Sequence, residues 1–142
     1  MNYQEKAEAM LNCVPVLRSQ EVVRPLSNVT EGEFAVLIYL ANEHDGATAG
    51  QITAALQVGC SRTTAILQSL ERKGLLRREA DPDDGRRVLV YLTEEGKKLE
   101  EASRQAAIGD FSEMLEYLGE EDSDHLLQIL DKLMAYGQAK EK

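Results

Sequence analysis

The feature that most constrains the fold is a pair of short amphipathic helix patterns separated by only a few residues. The first pattern begins at Thr48, which can form a capping box with Gln51, and it ends before residues 57–60. The second pattern ends at Gly74, because glycine readily adopts the left-handed conformation that follows many helices. Its core-facing positions are Thr63, Ile66, Leu67 and Leu70. Two short helices joined by a tight, glycine-bearing turn predict a helix-turn-helix.

A β-hairpin is predicted immediately after Gly74. The strand-like runs LLRREA and RRVLVYL are separated by DPDDG, in which Asp-Pro initiates a turn and Asp-Gly tolerates positive φ. This pattern places Arg86 and Arg87 on the return strand. Thr93 can cap the following helix through its hydroxyl. Two glutamates follow in the first turn, where the helix dipole favours negative charge. The hairpin is therefore predicted to form a wing beside the helix-turn-helix.

Helices are also predicted on the N-terminal side. Pro15 lies inside the first apolar pattern and Pro25 lies near its end, so we expect a kinked or two-part helix. Thr30 and Glu33 have the spacing of a second capping box, and the apolar pattern that follows should end near residues 44–46.

The C-terminal third is predicted to form two amphipathic helices. The first runs from the Thr93 cap to Leu118 and is stopped by Gly119. The second begins with acidic residues and has a wide apolar stripe made of Leu126, Leu127, Leu130, Leu133, Met134 and Gly137. In a chain of this size, end helices with so much apolar surface would expose an association patch. A two-fold homodimer would bury that patch. Taken together, the helices predicted along the chain and the single hairpin indicate a mainly α fold.

Charge is unevenly distributed along the chain. The formal net charge is −9, yet residues 60–90 carry a local charge of +2 while the remainder carries −11. A basic segment on an acidic body suits a protein that meets a phosphate backbone with one face.

The two cysteines form no CxxC pattern, and no basic region leads into an apolar run at the start, which favours a cytoplasmic location. No run approaches the roughly 20 apolar residues of a membrane span, so no membrane partner is expected.

Residues 29–100 resemble the multiple antibiotic resistance regulator (MarR) family of bacterial transcription factors. The resemblance is carried by TEGEFAVLIYLANE and most specifically by LERKGLLRR, followed by D-P-x-D-x-R and V-L-V-x-L-T-x-x-G. It implies a single domain over residues 1–142, with a winged helix-turn-helix lobe at 29–93 and dimerisation helices at 1–28 and 94–142. It further implies a repressor that binds a pseudo-palindromic operator in double-stranded DNA as a homodimer and is released by a small aromatic ligand.

Candidate DNA contacts lie on the second helix of the helix-turn-helix, since its N-terminal end enters the major groove in such motifs. Arg62 can bond guanine bidentately, and Gln68 can read adenine. Ser61 and Thr64 suit phosphate contacts, although Thr64 could equally be plain helix surface. The exposed N-terminal positions of this helix are Ser61, Arg62, Thr64, Ala65 and Gln68.

Candidate contacts of the wing are Arg86 and Arg87. Asp81 and Asp84 are expected to build the turn and to hold Arg86, so that its planar guanidinium is presented to a minor groove. The resemblance also assigns wing stabilisation to an aspartate and an arginine, which fall on Asp84 and Arg86. Position 85 departs from the family because it is glycine, where relatives commonly carry Lys or Arg. Arg87 is therefore a candidate substitute contact.

Other classes of function leave weaker signals. A winged-helix module that binds another protein, without sequence-specific DNA binding, is the alternative, because the recognition helix has few cations. No catalytic pairing or phosphate-cradling loop is visible, so we expect neither an enzyme nor a cofactor. Cys60 lies near a helix N-terminus, where a thiol could sense oxidants, whereas Cys13 is expected to be a buried packing residue. His44 and His125 lack the spacing of a metal site.

Overall fold

A computed structural model describes residues 1–141, which form seven helices and one two-stranded antiparallel sheet. The helices are α1 (Tyr3–Ser19), α2 (Arg24–Thr30), α3 (Gly32–Tyr39), α4 (Ala49–Leu56), α5 (Cys60–Arg72), α6 (Glu94–Leu118) and α7 (Glu120–Lys140). The strands are β1 (Leu76–Ala80) and β2 (Val88–Leu92). The predicted fold class, a mainly α winged helix-turn-helix, is confirmed. Within residues 1–141, no helix combines the length and the apolar composition that a membrane span needs.

The chain divides into two units, one spanning residues 1–107 and the other beginning at Ile108. The hydrophobic core of the first unit joins α3, α4 and α5 to both strands. Its buried side chains are Val36, Leu37, Leu40, Ala47, Ile52, Leu67, Leu70, Leu76, Val90 and Leu92. The core therefore lies beneath the helix-turn-helix and the wing, which positions both elements on one packed support.

The helix-turn-helix consists of α4 and α5. The capping box predicted at the start of α4 is confirmed, because the Thr48 amide donates to Gln51 Oε1 at 2.9 Å and the Gln51 amide donates to Thr48 Oγ1 at 3.2 Å. The two helices are joined through Thr53, whose hydroxyl donates to the hydroxyl of the buried Thr63 at 2.9 Å. This bond joins the middle of α4 to the first turn of α5.

The predicted hairpin is present, and a third segment pairs with it. Residues of β1 and β2 pair from Leu76 with Leu92 to Ala80 with Val88. The amide of Gly46 donates to the Val90 carbonyl at 2.8 Å, and the Val90 amide donates to the Ala47 carbonyl at 2.8 Å. These bonds attach the segment between α3 and α4 to the inner edge of the wing.

The start of α6 is fixed against the chain that leads into β1. The Thr93 amide donates to the Leu75 carbonyl at 3.1 Å, and its hydroxyl donates to the Gly74 carbonyl at 2.6 Å. The same hydroxyl accepts from the Gly96 amide at 3.1 Å, which confirms Thr93 as the helix cap. Gly74 has φ +74°, as its predicted helix-terminating role requires. We call these four residues, Gly74, Leu75, Thr93 and Gly96, the wing-root junction.

The N-terminal helices differ in detail from the prediction. The expected break does not occur at Pro15, because α1 continues through this residue and ends at Ser19. Residues 20–23 make the break, and Pro25 lies in the first turn of α2, where proline is tolerated. Cys13, expected to be buried, is exposed, because no residue of α1 is buried within the chain.

The capping box predicted at Thr30 and Glu33 is wrong. Thr30 is the last residue of α2, and its hydroxyl donates to the Leu26 carbonyl at 2.8 Å instead of capping α3. Glu31 occupies the N-cap position of α3 without a side-chain bond. Glu33 is used elsewhere, in contacts with α5. The helix predicted to end near residues 44–46 ends earlier, because α3 stops at Tyr39 and the irregular turn Leu40–His44 that follows contains the non-helical residues Asn42 and Glu43.

The second unit contains the end of α6 and all of α7. Gly119, at φ +87°, separates the two helices as predicted. The hydroxyl of Ser123 closes the corner by donating to the carbonyls of Leu115 and Gly119 at 2.7 and 2.6 Å. The large apolar side chains that α7 leaves exposed are Leu127, Ile129, Leu130, Leu133, Met134 and Tyr136. No described residue of α7 is buried within the chain.

Substitution of Gly96 by alanine should destabilise the chain strongly. A Cβ atom at this position would overlap the Leu75 carbonyl oxygen, so α6 would have to move away from the wing-root junction. We expect Gly96→Ala to lower the free energy of unfolding by about 1–3 kcal/mol, the usual cost of overpacking a filled site. The measurement is urea unfolding followed by circular dichroism at one fixed protein concentration.

Gly109→Ala is the matched control, because Gly109 lies in the same helix and a Cβ there meets nothing within 4 Å. Alanine has the higher helix propensity, so this variant should be unchanged or more stable by up to about 1 kcal/mol. Equal stability of the two variants would contradict the steric role of Gly96.

Candidate nucleic-acid interface

The helix α5 has one buried side and one exposed side. Thr63, Leu67 and Leu70 are buried at spacings of three and four residues, as one side of a 3.6-residue helix requires. The predicted groove contacts all lie among the exposed positions: Ser61, Arg62, Thr64, Ala65 and Gln68. Arg62 has no ion pair with any of residues 1–141. The structure thus brings these five residues together on the surface of one helix.

The opposite end of α5 is fixed to α3 by Glu33. The Ser69 hydroxyl donates to Glu33 Oε1 at 2.7 Å, and the Lys73 ammonium donates to the two carboxylate oxygens at 3.0 and 2.8 Å. The hydrogen bond from Lys73, followed by that from Ser69, lowers the pKa of Glu33 below its ordinary value. The carboxylate therefore remains charged at neutral pH and sets the position of α5 relative to α3.

Sequence reasoning missed this role of Glu33. Its spacing from Thr30 indicated a local capping box, whereas its actual partners lie 36 and 40 residues further along the chain. A usable signal was available in Ser69 and Lys73, which are four residues apart and therefore lie on the same side of a helix.

The turn of the wing is organised by two aspartates. Asp84 Oδ1 accepts from the backbone amide of Arg86 at 3.1 Å and from its Nε at 3.3 Å. Asp81 Oδ1 accepts from the Asp83 amide at 2.9 Å, while its other oxygen lies 3.9 Å from the Arg87 guanidinium. Each aspartate is thus paired with a different arginine, rather than both with Arg86.

The placement of Arg86 and Arg87 on the return strand is wrong, because β2 begins at Val88. The turn needs these residues, since the Arg87 amide donates to the Asp84 carbonyl at 3.0 Å. The Arg87 carbonyl accepts from the Asp81 amide at 2.9 Å and closes the hairpin above the last strand pair. The side chain of Arg86 is 94% exposed, whereas that of Asp81 is only 13% exposed. The wing therefore presents arginine outward on a turn that is anchored by aspartate.

The remaining candidate residues, Cys60 and His44, lie on different elements of the fold. Cys60 is exposed at the start of α5. His44 stacks on the Tyr39 ring at 4.2 Å, and its Nδ1 lies 3.1 Å from the Tyr39 carbonyl. Among residues 1–141, no group of three or more His, Cys, Asp or Glu side chains could hold a metal ion.

Comparison with known proteins gives consistent matches. A model described as the MarR family matches residues 27–87. The transcriptional regulator HosA of Escherichia coli O111:H- is 33% identical over 111 residues, which cover 77% of this chain and 80% of HosA. The structure of a MarR family protein from Bacillus stearothermophilus matches with a TM-score of 0.72 and 26% identity, covering 97% of this chain and 99% of that one.

The structure of MepR, a transcription regulator of the Staphylococcus aureus multidrug efflux pump MepA, also matches. Its TM-score is 0.66 and its identity 26%, and the match covers 96% of this chain and 98% of MepR. These similar proteins are transcriptional regulators, not enzymes.

Replacement of Glu33 by glutamine should change how stability depends on pH. A carboxylate whose pKa is lowered in the folded state adds stability above its ordinary value of 4.5, and that stability is lost as the pH falls through the folded pKa. The difference in unfolding free energy between the wild type and Glu33→Gln should therefore be largest near pH 7 and shrink towards pH 3. Urea unfolding at several pH values measures it.

Lys73→Met is the companion variant, because it leaves Glu33 in place but removes the partner that lowers its pKa most. It should lose most of the same pH-dependent stability. A difference between wild type and Glu33→Gln that stays constant from pH 7 to pH 3 would show that the charged form of Glu33 adds nothing.

Proposed function

The chain belongs to the MarR family of transcriptional regulators, and from this premise we propose that it is a repressor which binds a pseudo-palindromic operator as a homodimer. The observation that carries the proposal is the exposed side of α5, held by its buried side on the same core as a wing that presents Arg86. A helix and a wing that are packed on one hydrophobic core can contact a major groove and the adjacent minor groove at the same time.

In the major groove, Arg62 is the proposed reader of a base. Its guanidinium is exposed, and no carboxylate among residues 1–141 has to be displaced before it bonds guanine O6 and N7. Gln68 lies farther along the exposed side and suits adenine, and Ala65 between them can approach a thymine methyl group. Ser61 and Thr64 flank these positions and suit phosphate oxygens.

In the minor groove, Arg86 is the proposed contact. The backbone amide and the Nε of Arg86 both donate to Asp84 Oδ1, which limits the conformations of the Arg86 side chain before DNA binds. Narrow minor grooves have an enhanced negative potential that attracts inserted arginine. Arg87 lies next to it, half-exposed, and suits the flanking phosphates.

Dimerisation is proposed through the end helices. Large apolar side chains are exposed on α1 as well as on α7, and soluble monomers rarely leave extended apolar patches uncovered. Those on α1 are Met10, Leu11, Val14, Val16 and Leu17. A second copy of the chain, related by a two-fold axis, would cover these surfaces and would place two copies of α5 for the two halves of an operator.

The effector is proposed to be a small aromatic molecule. A cavity of about 340 Å³ lies between α1 and α2, with an apolar lining interrupted by polar groups. Its lining residues are Val14, Leu17, Arg18, Val23, Leu26, Ser27 and Thr30. The Arg18 guanidinium suits a carboxylate on such a ring. The ligand releases DNA only if it binds a conformation that differs from the DNA-bound one.

Two arginine variants should affect DNA binding in different ways. We expect Arg62→Ala to reduce the preference for DNA from upstream of the chain's own gene over random DNA, by about 1–3 kcal/mol for each bidentate base pairing that it removes. Arg86→Ala should instead weaken binding to both DNAs and lower the salt-dependence slope by about 0.9 for each phosphate that is no longer neutralised. Fluorescence anisotropy titrations at several salt concentrations measure both quantities. Equal reductions in affinity for both DNAs with Arg62→Ala would contradict its role as a base reader.

The effector proposal predicts that 2-hydroxybenzoate lowers the affinity for DNA and raises the melting temperature of the free protein. Arg18→Gln should weaken both effects, because it removes the charge that pairs with the carboxylate. Phenol, which has the ring without the carboxylate, is the matched control ligand and should respond little to the substitution. If 2-hydroxybenzoate acts on Arg18→Gln as it does on the wild type, the cavity between α1 and α2 is not its site.

A further inference from the structure

The cations of residues 60–90 differ in whether a carboxylate lies beside them. Seven lysines and arginines occur in this segment. Five of them are paired: Lys73 with Glu33, Arg77 with Glu79, Arg78 with Glu71, Arg86 with Asp84 and Arg87 with Asp81. Within residues 1–141, the structure gives no ion pair to Arg62 or Arg72. Arg62 has a proposed function, whereas Arg72 has none so far.

Arg72 lies on the same exposed stripe as the groove-facing residues of α5. It follows Ser61 by eleven positions, Ala65 by seven and Gln68 by four, which are the spacings of one side of an α-helix. All four residues are exposed, and the buried side of α5 is opposite. A DNA duplex that contacts the N-terminal part of this stripe therefore also faces Arg72.

The length of the stripe decides what Arg72 can contact. Eleven residues at 1.5 Å each separate Ser61 from Arg72 by about 16 Å along the helix axis. For a helix that enters by its N-terminal end, the limit is the depth of the B-DNA major groove, which is only about 8.5 Å. When the N-terminal end of α5 is at the base edges, its C-terminal end lies outside the groove, beside the sugar-phosphate backbone.

The position of the wing indicates which DNA phosphates lie nearest to Arg72. Arg72 is four residues before β1, the strand that leads into the wing. With α5 in the major groove and the wing at the neighbouring minor groove, the residues between them lie over the phosphates that separate the two grooves. No other unpaired cation occurs in residues 60–90 of the described structure at this end of α5.

We propose that Arg72 contacts a phosphate between the two grooves and adds affinity for DNA without reading sequence. The proposal rests on the proposed function and adds an interaction that positions α5 at its C-terminal end. A guanidinium free of a carboxylate partner binds this phosphate without giving up an existing ion pair. The interaction releases a counterion, so its signature is the dependence of affinity on salt.

A purely structural role for Arg72 has a different signature. A cation in the last turn of a helix interacts favourably with the helix dipole, and Arg72 occupies that turn of α5. Under this alternative, its removal would lower the melting temperature and leave the salt dependence of DNA binding unchanged.

The experiment compares wild type, Arg72→Ala, Arg72→Lys and Lys98→Ala by fluorescence anisotropy, on DNA from upstream of the chain's own gene and on random DNA. For Arg72→Ala, the slope of log affinity against log salt should fall by about 0.9 on both DNAs, with the ratio of the two affinities unchanged. Arg72→Lys should keep the wild-type slope, because it keeps the charge. Lys98→Ala removes the same charge from α6, where Lys98 lies 3.7 Å from Glu95, and should also keep the slope.

The outcomes separate this proposal from the proposed function. An unchanged slope for Arg72→Ala, while the wild type binds DNA, overturns the phosphate contact alone. A wild type that binds both DNAs equally contradicts the operator-binding function, yet Arg72 is still tested because its slope change is expected on random DNA. A wild type that binds neither DNA contradicts both. A change in the affinity ratio for Arg72→Ala would make Arg72 a base contact and would also overturn the proposal.

Discussion

The backbone of α6 approaches the carbonyl of Leu75 so closely that only glycine fits at position 96. This approach, together with the bonds that Thr93 makes to Gly74, Leu75 and Gly96, fixes the long helix to the segment that links α5 with β1. The end of α5, the base of the wing and the start of α6 thus meet at one point.

Two further sets of contacts support the winged lobe. β2 carries Val90, which is buried in the core and bonded to Gly46 and Ala47, so the segment before α4 is attached to the wing. On the other side, Glu33 holds the C-terminal half of α5 through Ser69 and Lys73. A hydrogen bond from Thr53 to Thr63 holds the first turn of α5, so this helix is attached to its neighbours near both of its ends.

The sequence predicted those elements whose determinants are close together in the chain. Thr48 with Gln51, Thr93 with Gly96, and the two strands about the Asp-rich turn all depend on neighbours within a few residues. The prediction of a capping box at Thr30 and Glu33 was wrong because Glu33 is bound by residues of α5. The spacing of neighbouring residues does not indicate such a long-range contact. Arg86 and Arg87 were placed on the strand because the turn uses two more residues than its Asp-Gly pair indicates. The position of Arg72 on the exposed stripe could be read from helical spacing, but its lack of an ion pair required the structure.

Selection of bound DNA from a random pool tests most directly whether this molecule reads sequence with two copies of α5. A dimer of the kind proposed should enrich an inverted repeat whose half-sites are about 10–10.5 base pairs apart, or a multiple of that distance. Bound DNA with the same sequence composition as the starting pool, or with a single unrepeated half-site, would contradict the account.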